Sequence, residues 1–356
     1  MKHSYSTISC GRLFVTAIAL LAALVSCQKP QKPDDAVEEP TEKEFVFVIG
    51  DAPQTRLTGV TYAAESNVSR WALYLFDSNG NRYGNPVQVS GNGQTVLTLP
   101  IGNTYTVCAV VNYPNSFSVT NVSTLSGLES TASNLGDNAL SNFVMYGSCS
   151  LSVSVNTPPS VSIPVSRLVA KTGIQNITVN MTDDFYANET FTLKGIYVTN
   201  AYTRSTFGAD PTPAGTRSLW YNTMGWHGTG SASTSTALDN LTGHVGMNRT
   251  IANGTTFQAA EYFYFYPNKT SDDTTSSLWS VRHTRLVIEA SIGATTYYYV
   301  VTLPVSVRNN TYIATAVNIT QPGALDPEQP TPYAMSVVFS TSTDDWAGPD
   351  NVEELS

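Results

Sequence analysis

The sequence predicts an all-β protein of two domains, and three observations carry that prediction. First, 41% of the 356 residues are hydrophobic and 13% are charged, so the chain can bury real cores, and its length suits two domains once a leader is set aside. Second, 19 tyrosines together with abundant Val, Thr and Ser favour half-buried extended backbone. Third, 24 glycines and 19 prolines punctuate the chain often enough that its strands are short and joined by turns. The formal net charge of −9 offers no basic stripe for phosphates. Nucleic acid is therefore not an expected partner, and simple electrostatic docking on an anionic membrane surface is disfavoured.

The chain opens with "MKHSYSTISCGRLFVTAIALLAALVSC". Lys2 and Arg12 precede an apolar run from Leu13 to Val25 that is short for a membrane span and reads as a secretory signal. The run ends in Leu24-Val25-Ser26-Cys27, which looks like a bacterial lipobox, with Cys27 as the lipidated residue. A doubly or triply acylated cysteine is a stable tether. The next stretch, "QKPQKPDDAVEEPTEKE", is polar, proline-dotted and free of aromatics, so it is expected to be a flexible spacer. The expected organisation is a signal peptide and lipobox at 1–27, a tether at 28–43, a first sandwich at 44–159, a second at 160–326 and an arm at 327–356.

In the first half, "EFVFVIG" at 44–50 is the first strand. Phe45, Phe47 and Ile49 alternate with Val46 and Val48, a pattern suited to burial on both faces. A polar loop, "DAPQTRLTG", leads to "SRWALYLFDSNGNRYG", where Asn79-Gly80 marks a turn after an apolar run. "TVLTLPIGNTYTVCAVVNYP" supplies two strands around Gly102. Residues 118–142 loosen into loop with a short helix near "TLSGLESTA", and "FVMYGSCSLSVSV" returns to strand. The boundary is expected near Pro158-Pro159. In the second half, "FTLKGIYVTNAY", "EYFYFYPN", "TRLVIEASIGATTYYYVVTLPV" and "NTYIATAVNITQPG" are strand regions, and between them 203–257, rich in Gly, Ser and Thr, reads as a long, partly irregular excursion. Two of the four cysteines lie outside the signal and lipobox, Cys108 and Cys149. They are either a disulfide, which an exported location permits, or small buried hydrophobes.

The order and spacing of these pieces resemble the Bacteroidales fimbrillins, subunits of lipoprotein-derived (type V) pili, each built from two transthyretin-like β-sandwich domains. The resemblance rests on the Cys27 lipobox, "WALYLFDSNG", "LPIGNTYTVCAVVN", "SRLVAKTGI", "YFYFYPN", the "TRLVIEA" to "NTYIATAVNI" region, and the ending "DPEQPTPYAMSVVFSTSTDDWAG" with Asp345-Trp346. It implies an outer-membrane lipoprotein precursor that becomes part of a cell-surface fimbrium supporting adhesion. An arginine- or lysine-specific protease would cut after the first strand, and a strand from another subunit would fill the groove by donor-strand exchange. The implied partners are other pilin subunits, the protease, the outer membrane through the precursor's lipid, and a host or bacterial surface ligand.

The residues supply candidates for each part. Arg56-Leu57, in the polar loop, is the candidate scissile bond; a cut there removes Cys27 and the strand bearing Phe45, Phe47 and Ile49 in one event. Lys43 precedes that strand, so cutting there would not remove it. The tail presents Tyr333, Met335, Val337 and Phe339 at a period of two, either as a donor strand or as the last strand of its own second domain. Pro327, Pro330 and Pro332 favour a stiff arm that reaches away.

Rival functions are less well supplied. His227, His244 and His283 lack metal-ligand spacing, and no G-x-S-x-G, nucleotide-binding glycine loop or H-E-x-x-H occurs, so no catalysis, cofactor or metal is expected. The paired aspartates at 183–184, 272–273 and 344–345 read as solvated turn residues. "RSLWYNTMGWHGTG" gathers Trp220, Tyr221 and Trp226, whose rings are candidates for stacking on a glycan. Exposed tryptophans would favour an adhesin or a non-polymerising glycan-binding lipoprotein, and buried ones a structural subunit. Stalk, accessory or tip, and anchor roles share one fold; a cut site with a donor tail favours the first two.

Overall fold

The computed structural model describes residues 40–50, 65, 67–210, 212, 220–222, 239–270, 283–327, 334–342 and 351–355. Their backbone is almost wholly strand and turn. The first half consists of two sheets. One is the three-stranded arrangement β4 (Thr95–Pro100), β1 (Glu42–Ile49) and β8 (Ser160–Ile163), with β1 in the middle. The other runs β3 (Val87–Ser90), β2 (Arg70–Phe76), β5 (Thr104–Val111), β7 (Met145–Ser152) and β9 (Ser166–Arg167).

The turns that shape this half follow from local chemistry. The Asp77 carboxylate accepts the backbone N–H groups of Asn79 and Asn81, both at 2.9 Å, and Gly80 takes a positive φ of 77° that costs a glycine little. The short helix α1 (Leu125–Glu129) is capped by Thr124, whose hydroxyl accepts the Gly127 N–H at 3.1 Å. β2 is buried along nearly its whole length, because one face meets the core and Tyr74 on the other is covered by the 119–128 segment. There the Tyr74 hydroxyl donates to the Val119 carbonyl at 2.9 Å.

The second half also has two sheets. β15 (Thr255–Phe265), β10 (Ala170–Val179), β18 (Thr311–Ile319), β19 (Met335–Ser342) and β20 (Asn351–Leu355) lie in that order. The other sheet centres on β11 (Phe191–Tyr202) and β16 (Arg285–Ile292), with β17 (Thr295–Thr302) outside β16. β13 (Trp220–Asn222) and β14 (Gly243–Ile251) share the far edge of β11. A two-stranded ladder, β6 (Ala132–Asn134) with β12 (Arg204–Thr206), ties the halves together. Beside it the Tyr266 hydroxyl lies 2.8 Å from Ser133 Oγ, and Phe143 packs on Tyr264 with centroids 4.6 Å apart. Most of the buried apolar side chains of both halves join one continuous cluster.

Three expectations are corrected. The first sandwich does not end at 159: β8 pairs with β1 and β9 pairs with β7, so the chain enters the second sandwich only at β10. The apolar alternation of "SVSIPVS" is consumed by completing the first half, and no local signal at Pro158-Pro159 says so. Within the expected arm at 327–356, the described residues 334–342 are not free. β19 is paired along its length with β18, antiparallel, with Phe339 opposite Ala314 and Val337 opposite Val317. Val337 and Phe339 are buried, and the connection closes where the Thr320 N–H meets the Ala334 carbonyl at 3.0 Å. The reading of this strand as part of its own second domain is the one realised, with β20 rather than β19 at the edge of the sheet, because β18 would otherwise present an open edge.

The third correction concerns the cysteines. Both are buried thiols. On the β5–β7 ladder Cys108 sits opposite Ser148, while Cys149 sits opposite Val107. A one-residue offset on antiparallel strands sends the two side chains to opposite faces, so no disulfide can close without a register slip.

Candidate functional site

β1 is the element on which the functional argument turns. It is antiparallel to β4, with Phe45 opposite Leu97 and Lys43 opposite Leu99, and parallel to β8, with Phe47 opposite Val161 and Ile49 opposite Ile163. On the β8 side Val46 N–H donates to the Pro159 carbonyl and Gly50 N–H, just past the strand, to the Ile163 carbonyl, each at 2.8 Å; on the β4 side the Thr41 carbonyl accepts the Ile101 N–H at 2.9 Å. Phe45 and Phe47 are wholly buried and Ile49 nearly so, whereas Val46 and Val48 are half-buried. The expected burial on both faces is thus strong on one face and partial on the other. Taking β1 away would leave β4 and β8 as two facing edges over an uncovered stretch of core.

Magnitudes show how such a strand is held. Burying three side chains of this size contributes roughly 5–9 kcal/mol, while ordering eight backbone residues costs roughly 8–16 kcal/mol. Apolar contact alone does not retain the strand. The two ladders and the covalent link to β2, which keeps the local concentration high, supply the rest.

Lys43 adds a contact that the sequence did not advertise. Two residues ahead of Phe45, it lies on the core-facing side at the rim of the groove. Its ammonium donates to the Val155 carbonyl at 2.7 Å and to the Thr157 carbonyl, and lies 5.9 Å from the centre of the Phe45 ring. The alternation Lys43, Phe45, Phe47, Ile49 was the available signal.

Immediately downstream, a second group of buried charges fixes the chain. Glu65 is fully buried and accepts from Lys171 Nζ at 2.8 Å and from the Tyr264 hydroxyl, while its carbonyl accepts from Arg167 Nε at 3.0 Å. Burial lowers the Lys171 pKa, opposed by the neighbouring Glu65 charge, and brings that of Arg167 down to about 10. Lys171 and Arg167 come from the "SRLVAKTGI" junction and Tyr264 from the second sandwich. Glu65 therefore pins the segment entering β2 at the seam of the two halves.

The remaining sequence candidates distribute as follows. Cys27, Arg56, Leu57, Tyr333 and Trp226 lie outside the described residues. Met335 is half-buried in β19, beside the buried Val337 and Phe339. Trp220 is 3% exposed in β13 and packs on Tyr202 with centroids 5.2 Å apart, so its face is not available to a sugar; Tyr221 is half-buried.

The comparisons agree with this architecture. Residues 54–251 match the family of fimbrillin-A associated anchor proteins Mfa1 and Mfa2. No curated protein sequence matches the chain. Among solved structures, a candidate cell adhesion protein from Bacteroides eggerthii superposes with a TM-score of 0.62 at 15% identity, covering 85% of this chain and 95% of the other. A fimbrilin, FimA, from Porphyromonas gingivalis gives 0.55 at 16% identity, covering 84% and 96%. The tip fimbrial protein Mfa3 from Porphyromonas gingivalis gives 0.50 at 15% identity, covering 84% and 99%. At these identities the structural likeness speaks for the fold. The family match spans more than half of the sequence, and the chain belongs to the family of fimbrillin-A associated anchor proteins Mfa1 and Mfa2.

Proposed function

We propose that this protein is a subunit of a cell-surface fimbrium, exported as a lipoprotein through Cys27 and activated by proteolysis that removes its first strand. The observation that carries the reading is the position of β1, the inner strand of a three-stranded sheet, joined to the rest of the fold by the segment that contains Arg56. An arginine-specific cut at Arg56-Leu57 frees the subunit from its lipid and opens a groove with hydrogen-bonding edges on both sides. A strand from a neighbouring subunit then satisfies those edges, which is strand addition to an existing sheet. The family match begins at residue 54, beyond β1, in keeping with a first strand separable from the rest. Donation of this chain's own tail to another copy carries a cost, since β19 must first give up its ladder with β18.

The test is to treat purified full-length precursor with an arginine-specific protease, then measure fragment masses and assembly. The expected result is a fragment beginning at Leu57 and a ladder of oligomers that forms only after the cut. Absence of that fragment, or assembly without cleavage, overturns the reading.

A second reading is favoured by the full pairing of β19 and by the family's description as anchor proteins: a base subunit that retains β1 and its lipid. Mass spectrometry of the chain recovered from fimbriae separates the two, because a base subunit still carries acylated Cys27.

A further inference from the structure

We infer that the groove under β1 selects its replacement strand by charge as well as by shape. It calls for a lysine or arginine two residues ahead of three alternating bulky side chains, supplied by a subunit other than a second copy of this chain. The inference rests on the reading that β1 can be replaced.

The groove has three apolar positions, filled by Phe45, Phe47 and Ile49, and a fourth at the rim filled by Lys43. At that fourth position the wall consists of the carbonyls of Val155 and Thr157, both accepting from the Lys43 ammonium. The loop that presents them has internal bonds that do not involve β1, although Val46 N–H also holds its Pro159 carbonyl. Thr157 Oγ1 donates to the Ser152 carbonyl at 2.7 Å and accepts the Ser154 N–H at 2.9 Å, and Thr157 N–H reaches back to the Ser154 carbonyl at 3.2 Å. These bonds hold Thr157 and limit the loop's freedom when β1 leaves, so the carbonyls of Val155 and Thr157 offer a site for an ammonium or guanidinium. An apolar residue there would leave them to water and forgo a charge-assisted hydrogen bond.

The tail of this chain does not fit. No Lys, Arg or His occurs from residue 309 to the end, a stretch whose only charged side chains are acidic. Aligning Tyr333, Met335 and Val337 with Phe45, Phe47 and Ile49 puts Thr331 at the cationic position; shifting by two puts Tyr333 there. The same strand is already engaged with β18. A self-complementary fibre is disfavoured on both counts, and the neighbour on the groove side is a different subunit with a basic residue entering first.

The preference can be measured with the cleaved chain, freed of its first strand in mild denaturant and refolded, and fluorescein-labelled peptides read by anisotropy. The peptide EKEFVFVIG is expected to bind. The same peptide with Lys43→Met should bind about tenfold more weakly, the low end of what a charged donor contributes because the site is partly open to water. The Lys43→Arg peptide should keep most of the affinity. The tail peptide QPTPYAMSVVFS should bind weakly, and Thr331→Lys within it should recover about tenfold. Equal binding of the lysine and methionine peptides overturns the charge rule while leaving a replaceable strand intact; no binding by EKEFVFVIG itself overturns both. A second readout needs no cleavage: Lys43→Met in the full-length chain should speed amide exchange across β1 about tenfold relative to β2. Unchanged protection counts against the inference.

Discussion

The Glu65 carboxylate and the Lys171 ammonium meet at 2.8 Å with side-chain exposures of 0% and 2%, 106 residues apart in the sequence. Two buried cations meet Glu65: Lys171 pairs with its carboxylate, and Arg167 donates to its backbone carbonyl. Removing the carboxylate strands charge in the interior, whereas replacing the pair together does not. Glu65→Ala is expected to cost about 3–5 kcal/mol, and Glu65→Gln combined with Lys171→Met to recover most of that loss. Urea denaturation of the single and double variants reads the difference, and a double variant no better than the single one would contradict it.

The strand that covers the first core should be as costly to truncate as any interior element. Phe47→Ala is expected to lose about 3–5 kcal/mol of stability in the uncleaved chain. Val96→Ala, on the neighbouring β4 but 45% exposed, should stay within about 0.5 kcal/mol of the parent. Thermal or urea unfolding of both variants measures the contrast.

The thiols give a redox and a pH prediction. With Cys108 and Cys149 on opposite faces of the sheet, the folded protein should run identically with and without reductant, and both thiols should resist a thiol reagent until the chain unfolds. Burial also pushes the Cys108 pKa from 9.0 up to about 12. Between those values the native state retains a proton that the unfolded chain releases. The stability tied to this group is therefore complete below pH 9 and is lost as pH rises through the window, by at most about 1.4 kcal/mol per pH unit. Cys108→Ala should flatten the stability curve between pH 9 and 10, before the tyrosines contribute.

Gly147 is required by the crossing of the chain from the β1 sheet to its partner. A Cβ added there would lie 1.8 Å from the Pro164 carbonyl oxygen and 2.8 Å from Val165 Cα, backbone atoms of the link between β8 and β9. Gly147→Ala is expected to destabilise by about 1–3 kcal/mol through forced displacement of that link. Gly91→Ala serves as the comparison: nothing crowds its Cβ, and only its φ of 60° opposes the change. A smaller loss at Gly147 than at Gly91 would argue against the close approach.

Much of the fold is legible in the sequence because it is written locally. The alternation in "EFVFVIG", the Asn79-Gly80 turn and the short helix after Thr124 each depend on residues within a few positions of one another, and each stands where its pattern places it. The lipobox-like stretch ending at Cys27 and the candidate cut at Arg56 are likewise local motifs, read from sequence alone. What local pattern cannot carry is partnership. That β1 lies between β4 and β8, that β8 belongs to the first half, and that β19 lies between β18 and β20 in its own sheet are outcomes of competition among exposed strand edges far apart in the chain. The Lys43 carbonyl site and the Glu65–Lys171 pair arise in the same way, since a lysine in a strand looks solvated until the fold brings acceptors to it. The sequence alone determined an all-β class and a resemblance to fimbrial subunits. Only the tertiary structure decided which edges β1 covers and which acceptors its lysine meets there, because long-range hydrogen bonding has no local signature.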